Sequence, residues 1–248
     1  MDEDVDPARV KEIVQELLND WDDFCRDGEM KLRPRRRKSR EQIAVVLALT
    51  AHVHECARAL LPYLPFQLTA AHAPVARTAL ETALTVMWID KKPDAAGAFT
   101  NEEQRHRRSI ATTMRAQGRL AEAQRVAHVG DEAWPSSAGS QNEARRFEQL
   151  TKEIGAEDVY LLYRILCGLT HPSVSLTDEY LIVDDAPVGF RFVPTPQPLQ
   201  MSESLTWLLA ASLLWSSRRV DYLEGSPRRS VLRRYGQELG TSPDAGSK

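Results

Sequence analysis

The sequence lacks most of the groups that would make its chemistry easy to name. Only three cysteines occur, Cys25, Cys56 and Cys167, with no CxxC pair, which excludes a disulfide framework and suits a reducing compartment. There is no GxGxxG, P-loop or HExxH pattern, no nucleophile elbow and no pair of catalytic carboxylates. No uncharged apolar run reaches the roughly 18 residues of a membrane span; the nearest stretch is Leu205 to Trp215. The opening MDEDVDPARV is acidic and has no basic-then-apolar order of a signal peptide. No internal repeat is visible. These absences lead us to expect a soluble, cytoplasmic protein.

What remains is an ordinary globular composition, with 248 residues, 42% hydrophobic and 27% charged, long enough to bury a core without metal or disulfides. The net charge of −3 excludes a blanket nucleic-acid binder. Its placement is uneven, however. Residues 1–30 hold eleven acids and three bases, whereas residues 31–40, KLRPRRRKSR, hold seven bases and no acid. This decapeptide reads either as an arm that meets RNA phosphates through Arg33, Arg35, Arg36, Arg37 and Lys38, or as a solvated loop balanced by the acidic helix before it. Smaller basic clusters recur at Arg105/Arg107/Arg108, Arg218/Arg219 and Arg228/Arg229/Arg233/Arg234.

The hydrophobic period is helical nearly throughout. Asp6 and Pro7 open an amphipathic helix over 7–27, built on Val10, Ile13, Val14, Leu17, Leu18, Trp21 and Phe24. Ser39 and Gln42 form a capping box for a second helix that stops at Pro62. Pro74 opens a third, VARTALETALTVMWID, and Thr100 with Glu103 caps a long polar helix broken at Gly118. A loop over 131–140 precedes a helix at 141–154, and another runs from Glu157 to about His171. Only 179–193 loses the helical period, and it reads as a small hairpin turning at Ala186–Pro187. Ser202 caps a helix to Leu223, and Pro227 starts a last one to Leu239. The expectation is all-α: one helical bundle over 1–240 of at least six helices, with its core over about 40–225, that small insert, and a disordered tail at 241–248.

Most apparent constellations have bland readings. His52 and His54, two apart on a helix, point in nearly opposite directions, and adding Glu55 and Cys56 does not make a metal site. No metal or other cofactor is expected. Trp88, Trp207 and Trp215 at helical spacing read as core. Two sets survive. Arg77 and Glu81, four apart in ARTALETALTVMW, share a face of a helix whose neighbours are almost all apolar, which predicts a pair inside the bundle. Arg164 and His171, in YLLYRILCGLTHPS, are seven apart, so on a helix they fall about 20° from one another. Pro172 disfavours α geometry at His171, which places the imidazole at a helix end, where the dipole favours its charged form. An arginine and a histidine on one face can grip a phosphodiester and move a proton at it. The alternative is an ordinary capping histidine with Arg164 in a surface ion pair.

Arg164-x6-His171 at a helix end resembles the Arg-x(4–6)-His signature of the HEPN superfamily. More locally, ARTALETALTVMWI followed by YLLYRILCGLTHPS resembles the bacterial domain of unknown function 5677 family, which couples an Arg-x3-Glu helix to a Tyr-rich helix ending in His-Pro. The resemblance covers about residues 40–225. It implies a helical bundle, commonly dimeric, of the kind found among metal-independent endoribonucleases of toxin–antitoxin and phage-defence systems. Arg164 would be the phosphate binder and His171 the acid–base group. Ile165 stands where the nucleases usually carry a polar residue, and Ser173 where Tyr is common. The leading expectation is therefore an HEPN-like RNA-binding homodimer with metal-independent endoribonuclease activity, partnered by RNA and by a cognate antitoxin or defence protein. The alternative is a non-catalytic helical dimerisation or protein-interaction module. A weaker third reading is an antitoxin-like protein that binds through its acidic first helix.

Overall fold

The computed structural model describes residues 5–26, 38–127, 133–183, 189–223 and 225–245. Within them the chain is all-α with one small hairpin. The helices are α1 (Pro7–Arg26), α2 (Arg40–Leu60), α3 (Ala73–Lys91), α4 (Ala95–Ala116), α5 (Leu120–Ala127), α6 (Ala138–Arg145), α7 (Phe147–Glu153), α8 (Glu157–Thr170), α9 (Val174–Asp178), α10 (Ser202–Leu223) and α11 (Arg229–Glu238). Between α9 and α10, β1 (Leu181–Val183) and β2 (Phe190–Phe192) pair antiparallel, with Leu181 opposite Phe192 and Val183 opposite Phe190. The hairpin tip expected at Ala186–Pro187 lies outside the described residues.

α3 is the spine. Ala76, Ala79, Leu80, Ala83, Leu84, Met87 and Trp88 are all buried where α2, α8 and α10 close on it, the three alanines allowing close approach. α10 is buried nearly all round, so its sequence shows little amphipathic stripe. α1 lays Val10, Ile13, Val14, Leu17 and Leu18 against α10. α2 and the turn after it are long and apolar enough to cross a membrane by length and composition alone, but here α2 packs against α1, α3 and α10. Its buried Gln42 donates to the carbonyls of Ile89 (3.0 Å) and Lys92 (2.9 Å) while completing the Ser39 capping box.

Several boundaries differ from the sequence reading for local reasons. α4 begins at Ala95, five residues before Thr100, because Ala95, Ala96, Gly97 and Ala98 are small enough to be buried under the incoming chain; a Cβ on Gly97 would stand 2.4 Å from the Pro135 carbonyl oxygen. The helix expected over 141–154 is two helices, α6 and α7, split where Arg146 takes an extended conformation. α6 starts within the expected loop, with Ser137 as its N-cap. Ser202 does not cap α10; its hydroxyl donates to the Pro65 carbonyl at 2.7 Å and accepts from the Leu68 N–H at 3.2 Å.

The expected disordered tail is in place as far as Ala245. Asp244 accepts from Arg218 Nε at 2.8 Å, and Arg219 donates to the Ala245 carbonyl. The Arg218/Arg219 cluster is accordingly not a surface patch: both side chains are almost wholly buried, and Asp221 accepts from Arg218 Nη1 at 2.6 Å and from the Arg228 N–H at 2.7 Å.

Candidate functional site

The site forms where α8 crosses α3. α8 ends as Pro172 requires: His171 closes the helix with its N–H on the Cys167 carbonyl (3.3 Å) and then turns extended. The Ser173 hydroxyl accepts from the Leu176 N–H (3.1 Å), capping α9, and also donates to the Gly168 carbonyl. The chain therefore turns sharply after His171 and leaves the imidazole exposed beside α3.

Arg77 reaches that imidazole from α3. Its Nη1 lies 3.4 Å from His171 Nε2, and its Nη2 donates to the Tyr163 hydroxyl at 2.9 Å. A guanidinium carries only donors, so the contact is a hydrogen bond when Nε2 offers its lone pair to Arg77. Glu81 stands by the other terminal nitrogen of the same guanidinium, 3.6 Å from Nη2. The Arg77 carbon also sits 4.9 Å from the Tyr163 ring centroid. Arg77 Nε is buried with no hydrogen-bond partner among the described residues. The cluster is thus tethered on one side and unsatisfied on another.

The electrostatics follow from this half-burial. Burial opposes the charge on Arg77, but the Tyr163 hydrogen bond, with Tyr163, Cys167 and Glu81 nearby, outweighs it and leaves the guanidinium above its ordinary range. Burial pushes the Glu81 carboxyl up, with Arg77 pulling the other way. Burial likewise raises the Tyr163 phenol against the pull of its Arg77 hydrogen bond. The expected location of Arg77–Glu81 inside the bundle needs correction. The side chains retain 18% and 40% of their exposure, because this face of α3 is only partly covered by α8.

Arg164 is exposed, and the neighbouring Tyr160 hydroxyl raises its guanidinium above the ordinary range. Among the described residues no hydrogen bond or ion pair joins it to His171; the arginine that meets the imidazole comes from the other helix. Arg164 instead lines a groove of ≈ 790 Å³ with Ile165, Gly168, Ser175, Glu179 and Ile182. Of the basic arm, Arg33, Arg35, Arg36 and Arg37 lie outside the described residues. Lys38 lies within them and is committed elsewhere, with its ammonium 2.7 Å from Asp90 Oδ1 and donating also to the Asp90 carbonyl. Sequence reasoning passed over Tyr163 as a functional residue. The only signal was the pair of tyrosines in YLLYR on the helix that ends in His-Pro.

His54 is no ligand. Its Nδ1 bonds the Thr50 carbonyl (2.8 Å), its Nε2 faces the Ser217 hydroxyl (3.3 Å), and Trp21 stacks on it at 4.4 Å. Among the described residues no group of three His, Cys, Asp or Glu side chains is placed to hold a metal ion.

Residues 43–187 match the family of unknown function DUF5677, and that span is more than half of the chain. The chain belongs to this family. The matched span contains Arg77, Glu81, Tyr163, Arg164 and His171, and it leaves out the basic arm. No curated protein and no solved structure matches the chain.

Proposed function

We propose that the chain is an HEPN-like RNA-binding protein whose α3/α8 cluster cleaves phosphodiesters without a metal ion. The observation that carries this reading is the exposed His171 imidazole 3.4 Å from an arginine already anchored by Tyr163. Cleavage by internal transesterification needs three things: a base for the 2′-hydroxyl proton, an acid for the departing 5′-oxygen, and a cation for the charge developing on phosphorus. Arg77 is the cation. His171 lies by its Nη1 and Glu81 by its Nη2, so both proton-transfer groups are available in one protomer. As Arg77 turns to the phosphate it releases Nε2 of His171, which takes the 2′-hydroxyl proton as the 2′-oxygen bonds phosphorus, and the carboxyl of Glu81 protonates the 5′-oxygen as the P–O5′ bond breaks. Arg164 is left to hold a neighbouring phosphate. In the toxin or defence setting proposed for such a protein, a homodimer would present two of these clusters.

The second reading is a non-catalytic dimerisation or protein-interaction module. It is favoured by the large apolar side chains left exposed on α8, α9 and the hairpin, among them Leu161, Val174, Val183 and Phe192.

The test is cleavage of a broad RNA pool by purified protein in EDTA. His171→Ala and Arg77→Ala are each expected to lower the rate by about 10²–10⁴-fold, with products ending in 2′,3′-cyclic phosphate and melting temperatures unchanged. An RNA pool left intact by the wild-type protein transfers the weight to the interaction module.

A further inference from the structure

Beside the cluster runs a row of rings that the proton transfers do not use. Phe147, at the start of α7, lies 4.4 Å from the Tyr163 ring, and Tyr163 lies 5.8 Å from Tyr160 with only 21° between their planes. Tyr160 and Tyr163, three apart on α8, share one face of the helix. Phe147 and Tyr160 are only half-buried, so part of this aromatic surface faces solvent. Its inner end is the Tyr163 hydroxyl, one guanidinium away from His171.

The charges around the rings favour a polyanion. Arg164 lies one helical turn from Tyr160 on α8, close enough for the phenol to raise its guanidinium. Lys152 bonds Glu148 at 2.6 Å and, together with Arg164 and Arg146, holds that carboxyl below its usual range. Glu157 adds a second carboxylate near Lys152. Three cations thus face two carboxylates, and Arg146 and Arg164 are both exposed.

We infer that Tyr160, backed by Tyr163 and Phe147, is a stacking platform for an unpaired base of single-stranded RNA, with Arg146 and Arg164 carrying the adjoining backbone phosphates. This rests on the reading of Arg77 and His171 as the phosphodiester site and supplies its substrate class. An aromatic face accepts any base, but only one whose own face is uncovered; in a duplex both faces of each internal base are already stacked. The platform therefore selects strandedness rather than sequence. The cations beside it make binding dependent on salt.

The probe is a short oligouridylate with 2′-O-methyl riboses, which cannot be cleaved because its 2′-oxygen carries no proton to lose. It is measured by fluorescence anisotropy with the full chain, alone and annealed to its complement. The single strand is expected to bind about 10-fold or more tighter than the duplex, and Tyr160→Leu to weaken it about 10-fold, as loss of one base–aromatic stack does. Tyr160→Phe, which keeps the ring and loses the hydroxyl, should bind nearly as the wild type does. Arg146→Ala with Arg164→Ala should flatten the salt dependence, each lost phosphate contact taking about 0.7 from the slope. Unchanged affinity in a folded Tyr160→Leu, equal affinity for duplex, or no binding at all would overturn the inference. A protein that binds the probe through Tyr160 yet cuts no RNA would refute the catalytic reading and leave the platform standing. Cleavage that persists while Tyr160→Leu binds normally would do the reverse.

Discussion

Two of the chain's arginine–carboxylate clusters are built differently. At the end of α10, Arg218 is buried and fully engaged: Asp221 and Asp244 bind it at 2.6 and 2.8 Å, Ser226 at 3.2 Å, and Tyr222 lies over its guanidinium. Where α8 crosses α3, Arg77 has one good hydrogen bond, a carboxylate at 3.6 Å, an exposed histidine and a buried Nε with no partner among the described residues. Burying a charge is tolerable only when it is paired and hydrogen-bonded, so the first cluster is a structural clasp that fixes the tail. The second leaves one buried donor unsatisfied and an imidazole facing solvent, and the exposed imidazole is what a group that must meet a ligand requires. Incomplete satisfaction near an open surface separates a site from a clasp more sharply than the presence of an ion pair does.

That contrast can be broken by measurement. The largest expected stability effect is at the clasp. Asp221→Ala takes the buried partner from Arg218, leaving it the part-exposed Asp244, and also unbinds the Arg228 N–H, so it should cost about 3–5 kcal/mol in denaturant unfolding. A loss below about 1 kcal/mol would mean that the clasp is no more committed than a surface pair.

Histidine offers the same comparison. Burial holds the His54 pKa down to about 4, whereas the unfolded imidazole takes its proton near 6.5. Above the unfolded value both states are neutral and stability is whole; below it the unfolded state binds the proton that the folded one refuses. Stability should therefore fall by about 1.4 kcal/mol per pH unit between roughly 6.5 and 4, about 3 kcal/mol in all, on top of any carboxylate contribution. In His54→Gln that part of the slope should vanish; an unchanged slope would show that His54 is not the group being titrated.

A smaller effect is expected where the tail docks on α11. A Cβ at Gly236 would stand 2.6 Å from both the Thr241 carbonyl oxygen and Pro243 Cδ. Gly236→Ala should thus cost about 1–3 kcal/mol by overpacking, despite the better helix propensity of alanine. A neutral or stabilising result would show that residues 241–245 do not depend on that close approach. The smallest effect belongs to the site: Glu81→Ala should lose under about 1 kcal/mol, because its pair with Arg77 is long and 40% of the Glu81 side chain is exposed. A loss as large as that of Asp221→Ala would erase the distinction between the two clusters.

The helices were legible because their apolar residues recur at the helical period, and the hairpin because 179–193 alone breaks it. The end of α8 was legible from one residue, Pro172. The meeting of Arg77 with His171 was not, because it depends on which helices pack together, and a helical wheel compares only residues on one helix. That is why Arg164 looked like the partner of His171. The burial of the basic cluster Arg218/Arg219 was hidden for a related reason. The sign of it was a neighbourhood of Leu, Ala, Trp and Ser with Asp221 three residues on, which makes an exposed face for the arginines hard to find. The split at Arg146 carries no glycine or proline to announce it.

The central claim is that the α3/α8 cluster is open to a ligand while the α10 clasp is not. Titrating the isotope-labelled protein with the 2′-O-methyl oligouridylate and following backbone and side-chain NMR signals tests it directly. The account expects dose-dependent shifts at Arg77, Tyr160, Tyr163 and His171, with Arg218, Asp221 and Asp244 unmoved; shifts confined to the clasp and tail, or none at His171 and Arg77, would contradict it.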